Sequence, residues 1–311
     1  MKNYKEKGLG FRLIKIFVLL SCLYAIPYTL YPKTVSAQAI NLSITPPLFE
    51  VMIAPGKEIK QVFTITNDGG DVILIPKILY FIPDSTDGTV ELTDEVAPDW
   101  VKFNQDAFSL KNGNRTDFTV TINPPEGTEE TDHFLTLIIE TTVPTDVLGQ
   151  ASTFYKTIIG SNILVTVSKD GNPKKSAEII EFTAPKLIDS FLNPIPYTLV
   201  LRNNGNSFWK PNGKIISGDE TLKLANLNIL SGSNRNLLCL KDENLDECKA
   251  THNIFLGKIT HKLEFQMDDD TKIYKAETVT YVFPFMLVAI LIFLLTTFRY
   301  RRIFKLPILK K

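Results

Sequence analysis

Short runs of alternating apolar and polar residues, separated by turns, fill most of the chain. In VFTITNDGGDVILIP (Val62–Pro76), Phe63 and Ile65 alternate with threonines, and a fully apolar run follows the turn NDGG. Alternation with a period of two is typical of a half-buried strand. Amphipathic helical periodicity is essentially missing outside the two terminal segments. The pattern therefore predicts that the central part of the chain is all-β.

The same pattern returns in the second half of the chain as LVLRNNGNSFWKP (Leu199–Pro211). The aligned pairs are Ile65 with Leu201, Asn67 with Asn203, and Gly69 with Gly205. Two copies of one strand–turn–strand element predict two copies of one kind of domain. Because Asn and Gly accept left-handed backbone conformations, we interpret NDGG as an arch between two facing sheets, with Gly69 at positive φ. A two-residue hairpin is the alternative interpretation.

The strand pattern divides into two blocks. Strands fill residues 40–168 and, after the polar segment KDGNPKK (169–175), return over 175–278. Short strands with turns at intervals of about 8–12 residues are typical of immunoglobulin-like sandwiches. We therefore predict two tandem immunoglobulin-like β-sandwiches joined by a hinge at 169–175.

The N-terminal segment has the three parts of a secretory signal. Basic residues precede the apolar run Ile16–Ile26, which is too short to span a bilayer comfortably, and small residues follow in VSAQA (Val35–Ala39). We predict a signal peptide over 1–37 with cleavage after Ala37. Cleavage after Ala39 and an uncleaved N-terminal anchor are the alternatives.

The C-terminal segment has the pattern of a membrane anchor. Residues 279–298 carry no charge, which predicts a transmembrane helix. The tail 299–311 is basic, with Arg299, Arg301 and Arg302 flanking the helix, and basic flanks stay in the cytoplasm. We therefore predict a single-pass type I protein of the cell membrane whose domains lie outside the cytoplasm.

Charge is distributed unevenly along the chain. The formal net charge is zero, but basic residues concentrate at the two ends. The part between them then carries roughly ten net negative charges, which repel nucleic acid and other anionic polymers. We expect no nucleic-acid partner.

Two cysteines bracket the polar segment LKDENLDE. Cys239 and Cys248 lie nine positions apart, in a chain predicted to be exported to a compartment where disulfides persist. We predict a disulfide between them, with two free thiols as the alternative. The third cysteine, Cys22, is interpreted as part of the apolar region of the signal.

Residues suited to catalysis are scattered. His133, His252 and His261 lie on separate strands and loops, and the sequence contains no HExxH, G-x-S-x-G, CxxC or glycine-rich phosphate motif. We therefore expect no enzymatic activity, no cofactor and no metal. The cluster 268–270 (DDD) would suit calcium, but its place between two strands favours a solvated turn.

The sequence contains two tryptophans, Trp100 and Trp209. Trp209 is interpreted either as a core residue or as an exposed aromatic that docks a sugar or a partner. Trp100, in DWVKF, is interpreted as a core residue.

The chain resembles bacterial WxL-interacting proteins in TPPLFEVMIAPGKEIKQVFTITN, in DWV and in FTVTINPPEGTEETDHFLTLIIE. The order of signal, two sandwiches, membrane helix and basic tail is also similar. The resemblance implies a surface location, an association of the first domain with peptidoglycan, and binding of partner or host proteins by the second. No ligand-contacting residue can be carried over from the family.

These observations predict a non-enzymatic, membrane-anchored bacterial surface protein. Its immunoglobulin-like domains would bind an envelope component such as peptidoglycan, or a surface or host protein. The alternative is an extracytoplasmic chaperone-like protein that lends a strand to secreted or pilus subunits. The segment KTIIGSNILVTV (156–167) has the alternation that such a donor strand needs. A hydrolase with a site between the domains is a third hypothesis.

Overall fold

The computed structural model describes residues 41–142, 157–268 and 270–303. The predicted signal peptide with Ala37, the basic tail beyond Ile303, and the side chains of Arg301 and Arg302 lie outside the described part. Within it the protein is mostly β, with one helix at the C-terminal end.

The first sandwich contains two sheets that face each other. Its strands are β1 (Leu42–Thr45), β2 (Leu48–Ile53), β3 (Ile59–Asn67), β4 (Val72–Pro83), β5 (Val90–Val96), β6 (Val101–Phe103), β7 (Phe108–Leu110), β8 (Asn114–Ile122), β9 (Asp132–Thr142) and β10 (Ile158–Val167). One sheet has the order β1-β3-β8-β6, and the other has the order β2-β10-β9-β4-β5, with β7 also paired to β4. Alternate residues of both sheets, such as Phe63 and Leu137, are fully buried between them. This is the immunoglobulin-like arrangement that the alternating pattern predicts.

The turn NDGG connects the two sheets of this sandwich. The strand before it, β3, belongs to one sheet, and the strand after it, β4, belongs to the other. The arch interpretation is therefore confirmed, and the hairpin interpretation is wrong. The expected positive φ at Gly69 is also wrong, since Gly69 is not among the described glycines with positive φ. The side chain of Asn67 organises the turn instead, because its Oδ1 accepts a hydrogen bond from the Gly69 N–H at 2.9 Å.

The chain crosses from one sheet to the other after β1, the first strand of the described part. β1 pairs antiparallel with β3, whereas β2 pairs parallel with β10 in the opposite sheet. Pro46 and Pro47 lie at the crossing point. Neither proline has an N–H to donate to a ladder, so both suit an interruption between two strands.

The second sandwich follows the segment 169–175. Its strands are β11 (Ala177–Thr183), β12 (Leu187–Asp189), β13 (Ile195–Pro196), β14 (Thr198–Asn203), β15 (Pro211–Ser217), β16 (Glu220–Leu224), β17 (Asn234–Asn236), β18 (Cys239–Lys241), β19 (Asn244–Asp246), β20 (Lys249–Ala250), β21 (Gly257–Met267) and β22 (Tyr274–Phe283). The sheet β11-β14-β17 faces the larger sheet β12-β22-β21-β15-β16-β18-β19, and β13 pairs with β20. The repeated turn again links the two sheets, from β14 to β15.

The core of the second sandwich has Trp209 at its centre. Its side chain is fully buried and stacks on Phe265, with ring centroids 6.1 Å apart. The core interpretation of Trp209 is confirmed, and the interpretation as an exposed aromatic is wrong.

The two sandwiches contact each other through apolar and polar groups. Phe81 and Leu164 of the first form a buried cluster with Leu230 of the second. Glu50 on β2 accepts hydrogen bonds from Lys210 Nζ at 2.6 Å and from Asn228 Nδ2 at 2.5 Å. The domains are therefore held together by more than the connecting segment.

The chain leaves the second sandwich through a helix, α1 (Phe285–Ile303). The helix predicted over 279–298 is wrong at its start, because β22 continues to Phe283. Thr280 is fully buried opposite Ile259 of β21, so these residues are needed to complete the sheet. Pro284 then separates strand from helix, as expected for a residue favoured at helix starts. In the part of the chain that the structure describes, no helix combines the length and apolar character that crossing a membrane requires.

Candidate partner-binding site

The edge of β10 is the most distinctive feature of the first sandwich. β9 pairs with β10 over Ile158–Thr166, but β2 covers its other side only over Asn162–Val167. Within the described residues, Ile158–Ser161 therefore has a paired strand on one side only. The gap exists because β1, which precedes β2, has crossed to the opposite sheet.

The register identifies which backbone groups point outward at this edge. The Thr141 N–H donates to the Thr157 carbonyl at 3.0 Å, so Thr157 directs its polar groups towards β9. Groups alternate along a strand, so Ile158 and Gly160 direct their N–H and C=O away from β9. The same alternation lets the Asn162 N–H donate to the Pro47 carbonyl at 3.1 Å. Ile158 and Gly160 thus present two donors and two acceptors along the open edge.

The side chains of this segment differ on the two faces of the sheet. Ile158 is 53% exposed, and Gly160, on the same face, adds no side chain. Ile159, on the other face, is half-buried against the core of the sandwich. Ser161 is buried, and its Oγ donates to the Pro46 carbonyl at 2.7 Å. An extended peptide at this edge would find backbone partners together with apolar surface.

The second half of the segment 156–167, which the sequence predicts as a donor strand, is packed inside the protein. Ile163 and Val165 are fully buried in the core of the first sandwich. Leu164 faces the second sandwich in the cluster with Phe81 and Leu230. In the described part of this segment, only the stretch Ile158–Ser161 lacks a second paired strand. Lys156 lies outside the described residues.

A pocket on the first sandwich is a second candidate site. It has a volume of about 350 Å³ and is lined by Glu58, Asp99, Trp100, Lys102, Thr121 and Asn123, among others. Trp100 is partly buried rather than fully enclosed, and it meets the His133 ring edge-to-face at 5.0 Å. The core interpretation of Trp100 therefore holds only in part, because the residue packs against the core and also lines the pocket. The other lining groups include two carboxylates, an ammonium group and an amide.

The three histidines are apart in the structure. His261 is fully buried, and its Nδ1 lies 2.9 Å from Ser217 Oγ and 2.7 Å from the Tyr197 hydroxyl. Its Nε2 contacts the hydroxyl of Thr280 at 2.9 Å, so within the described residues both ring nitrogens contact hydroxyl groups and neither contacts a carboxylate. Burial lowers the pKa of His261 and raises that of Tyr197 to about 12. This serine–histidine pair is closed to substrate by its burial, and its hydrogen bonds stabilise the interior.

His133 and His252 also have local roles. His133 Nδ1 lies 3.2 Å from the Tyr80 hydroxyl, and burial lowers the pKa of the imidazole. His252 Nε2 lies 3.1 Å from the Leu192 carbonyl oxygen. Among the described residues, neither ring has a hydrogen bond to the side chain of a serine, threonine or cysteine.

The other sequence-predicted residues lie in the second sandwich. Cys239 and Cys248 form a disulfide with an S–S distance of 2.04 Å, and both are buried. Asp268 binds Lys175 Nζ at 2.7 Å and accepts from the Lys210 N–H at 2.9 Å, while Asp269 lies outside the described residues. In the described ranges, no three His, Cys, Asp or Glu side chains lie close enough to share a metal ion.

Sequence reasoning missed one partly buried carboxylate between the domains. Asp132, the first residue of β9, accepts from Thr166 Oγ1 at 2.6 Å and from the Phe208 N–H of the second sandwich. Burial raises its pKa to about 6, although these hydrogen bonds act in the opposite direction. The sequence offered no signal for this role, because Asp132 and Phe208 come together only when the two sandwiches meet.

Comparison with known proteins gives structural neighbours only. No family model matches the chain, and no curated protein matches it significantly. The fold is similar to the class 5 fimbriae chaperone CfaA (12% identity, 78% of this chain, 99% of that chain, TM-score 0.40). It is also similar to a chain of the CsuC–CsuE chaperone–tip adhesion subunit pre-assembly complex from Acinetobacter baumannii, with 12% identity over 78% of this chain and 98% of that chain and a TM-score of 0.39. A PapD-like domain of human CEP192 is similar as well, with 13% identity over 45% of this chain and 94% of that chain and a TM-score of 0.32. Because these TM-scores lie below 0.5, the fold assignment rests on the strand topology. The resemblance to WxL-interacting proteins stays a prediction.

Proposed function

We propose that the chain is a non-enzymatic binding protein that takes up an extended segment of another exported protein as an added strand. The added strand would lie beside Ile158–Ser161 of β10. The observation that carries this proposal is the pair of outward-facing residues Ile158 and Gly160, whose backbone groups have no strand partner in the described chain. In strand addition, main-chain hydrogen bonds supply affinity and the alternate side chains supply selectivity.

The added strand would lie in line with β2. Since β2 pairs parallel with β10, an incoming segment would occupy the position that β1 leaves when it crosses to the other sheet. Exposed Ile158 would contact it on one face, and half-buried Ile159 on the other. A segment with alternating apolar residues and little charge fits this surface best. Such segments occur at unpaired edges of incompletely folded β-proteins, which makes the role chaperone-like.

We further propose that this binding takes place outside the cytoplasm on a chain held to a membrane by its C-terminal segment. The signal-like N-terminus and the buried Cys239–Cys248 disulfide support export. Arg299, Arg301 and Arg302 would remain on the cytoplasmic side. Protease added to intact or wall-stripped cells should digest residues 40–278 and spare the tail. Protection of these residues would contradict this placement.

Site-directed photo-crosslinking tests the binding site. A photoreactive amino acid at Ile158, in the full-length protein in its own cells, should form crosslinks to an exported protein. The same group at Ile180, which is exposed to a similar extent on β11 of the second sandwich, should not form them. Equal crosslinking at the two positions, or none at Ile158, would contradict the proposal.

A matched pair of variants then tests whether the outward backbone N–H of Ile158 contributes to binding. Ile158→Pro removes the N–H that points away from β9. The pairing between β10 and β9 does not use this N–H, so it should remain, and proline is tolerated at a strand edge. Ile158→Thr keeps the N–H and the β-branched shape. Loss of one main-chain hydrogen bond should weaken binding of a peptide from the crosslinked partner roughly tenfold in the proline variant. The threonine variant should bind within about twofold of the native protein, on the same reasoning.

The pocket at Trp100 supports a second candidate function, the binding of an envelope saccharide. An exposed aromatic face with carboxylates and an amide beside it can stack on a sugar ring and bind its hydroxyl groups. Purified cell-wall sacculi should then co-sediment with the native protein. The variant Asp99→Ala/Lys102→Ala, at two exposed positions of the pocket, should co-sediment less, and Ile158→Pro should behave as the native protein. Unchanged co-sedimentation of the double variant would remove this candidate.

A further inference from the structure

One end of the second sandwich carries a contiguous apolar surface. We name it the collar and define it by six residues, which are Leu187, Phe191, Phe255, Leu256, Tyr281 and Phe283. Their exposed fractions run from 37% for Phe283 to 65% for Leu256. Single exposed apolar residues are ordinary on protein surfaces, but a contiguous group of this size marks a surface that meets another phase or molecule.

The collar surrounds the point where the chain enters α1. Leu187, Leu256, Tyr281 and Phe283 line one groove of about 590 Å³, together with Phe285 of the helix. Phe191 and Phe255 lie beside each other, with ring centroids 6.1 Å apart. The apolar surface of the sandwich is therefore continuous with that of the helix.

The start of α1 is fixed to the collar end of the sandwich by Asp189. Its Oδ2 accepts a hydrogen bond from the Met286 N–H at 2.7 Å, and its Oδ1 accepts one from the Phe191 N–H at 3.0 Å. Because Asp189 is buried, these bonds are shielded from water. One buried carboxylate thus joins the collar end of the sandwich to the first turn of the helix.

The helix itself indicates what covers this surface. Residues 285–298 contain no charged residue, and apolar side chains are exposed on every side of the helix. A protein partner or a second copy covers one face of a helix, whereas a lipid phase surrounds it. Tyrosine and other aromatic residues at the base of such a helix suit the boundary between headgroups and acyl chains. Lys258 lines the same groove, and its charge is complementary to anionic headgroups.

We propose that the collar is a lipid-contacting surface that seats the second sandwich on the headgroup–acyl boundary of the bilayer to which α1 is attached. This inference rests on the proposed membrane attachment. It adds that the second sandwich lies directly on the membrane in one orientation instead of moving freely on a tether. The orientation would be set by the collar and by the Asp189 contact with α1.

Spin-label accessibility in vesicles tests the proposal. The full chain with Cys22→Ser carries one nitroxide, at Leu256→Cys or at Phe255→Cys, and is reconstituted in vesicles of equal parts phosphatidylcholine and phosphatidylglycerol. The control label is at Val96→Cys, which is 70% exposed in the first sandwich. We expect the collar labels to be several-fold more accessible to oxygen than to a water-soluble nickel complex, relative to the Val96 label.

Three results would overturn the proposal. Collar labels that are as accessible to nickel as the Val96 label would mean that the collar lies in water. Labels shielded from both reagents would mean that a protein or a second copy covers it. Failure of the chain to float with the vesicles would overturn both the membrane attachment and the lipid contact of the collar. It would not affect the proposal of strand addition at β10, which the Ile158 variants test separately.

Discussion

Asn67 and Asn203 make the same set of hydrogen bonds in the two sandwiches. Each is fully buried, each accepts from the N–H of the glycine two residues later, and each donates Nδ2 to two carbonyl oxygens. The acceptors are Gly70 (2.8 Å) and Leu110 (3.0 Å) for Asn67, and Ser207 (2.8 Å) and Ile229 (3.0 Å) for Asn203. One buried amide in each sandwich thus joins the inter-sheet arch to a neighbouring segment.

The first prediction concerns these two amides. Asn67→Ala and Asn203→Ala should each lower the free energy of unfolding by roughly 2–4 kcal/mol, because buried carbonyl groups lose their donors. Urea titration followed by circular dichroism measures the change. Asn204→Ala is the control, because the Asn204 side chain is exposed and, among the described residues, donates its hydrogen bond to the Glu178 carboxylate at the surface. This substitution should cost less than about 1 kcal/mol. Equal effects of Asn203→Ala and Asn204→Ala would show that the shared amide is not structural.

The sequence carried enough information to find this repeat but assigned the wrong role to its glycines. Alternation and aligned turns predict strands and an arch because both follow from local burial. Positive φ was expected at Gly69, yet Gly113 and Gly232 have it, at 74° and 73°. Each of these glycines donates its N–H to the carbonyl of the repeat asparagine, Gly113 to Asn67 and Gly232 to Asn203. They are distant in sequence from the turn, so a local pattern cannot reveal them.

The open edge of β10 and the end of β22 were unpredictable for a related reason. Pro46 and Ser161 meet only after the chain has closed the sandwich, so the extent to which β2 covers β10 depends on long-range pairing. The uncharged run after residue 278 fits both a buried strand and a helix, and the pairing with β21 decides between them.

The second prediction concerns the disulfide. Mass spectrometry of unreduced, alkylated protein should give one cross-linked peptide pair containing Cys239 and Cys248. Replacing both residues by alanine should lower the free energy of unfolding by about 2–3 kcal/mol, because the unfolded chain regains the entropy of a short loop. Complete alkylation of both thiols without reduction would contradict the prediction.

The third prediction concerns Gly205, which passes close to the backbone of the connecting segment. A Cβ at this position would lie 2.5 Å from the Lys174 carbonyl oxygen and 2.9 Å from the Ser176 nitrogen. Backbone atoms cannot turn aside as a side chain can, so Gly205→Ala should cost roughly 1–3 kcal/mol. Thermal unfolding measures this cost. The double variant Gly205→Ala/Lys174→Ala keeps the backbone of residue 174 in place, so it should be as unstable as Gly205→Ala combined with any separate effect of Lys174→Ala. A Gly205→Ala protein as stable as the native one would contradict the close approach.

The last prediction concerns pH and Asp132. Its pKa in the folded protein is about 6, above the ordinary value of 3.8, so the folded state binds the proton more tightly than the unfolded state does. The resulting stabilisation is fully present below the unfolded pKa and is lost as pH rises through about 6. The lowered pKa of His133 acts in the opposite direction, since its contribution is lost as pH falls. The pH dependence of the native protein alone is therefore not diagnostic.

Comparison with Asp132→Asn isolates the carboxyl group, because the variant keeps His133 and cannot titrate at residue 132. The free energy of unfolding of the native protein, relative to the variant, should fall by roughly 2–3 kcal/mol between about pH 4 and pH 7. Urea titrations at a series of pH values provide the measurement. Glu130→Gln is a suitable control, because it removes a carboxylate two residues away whose side chain contacts Lys169 at the surface. A difference that is constant with pH, or that rises, would mean that Asp132 is not held between the sandwiches in the way the structure describes.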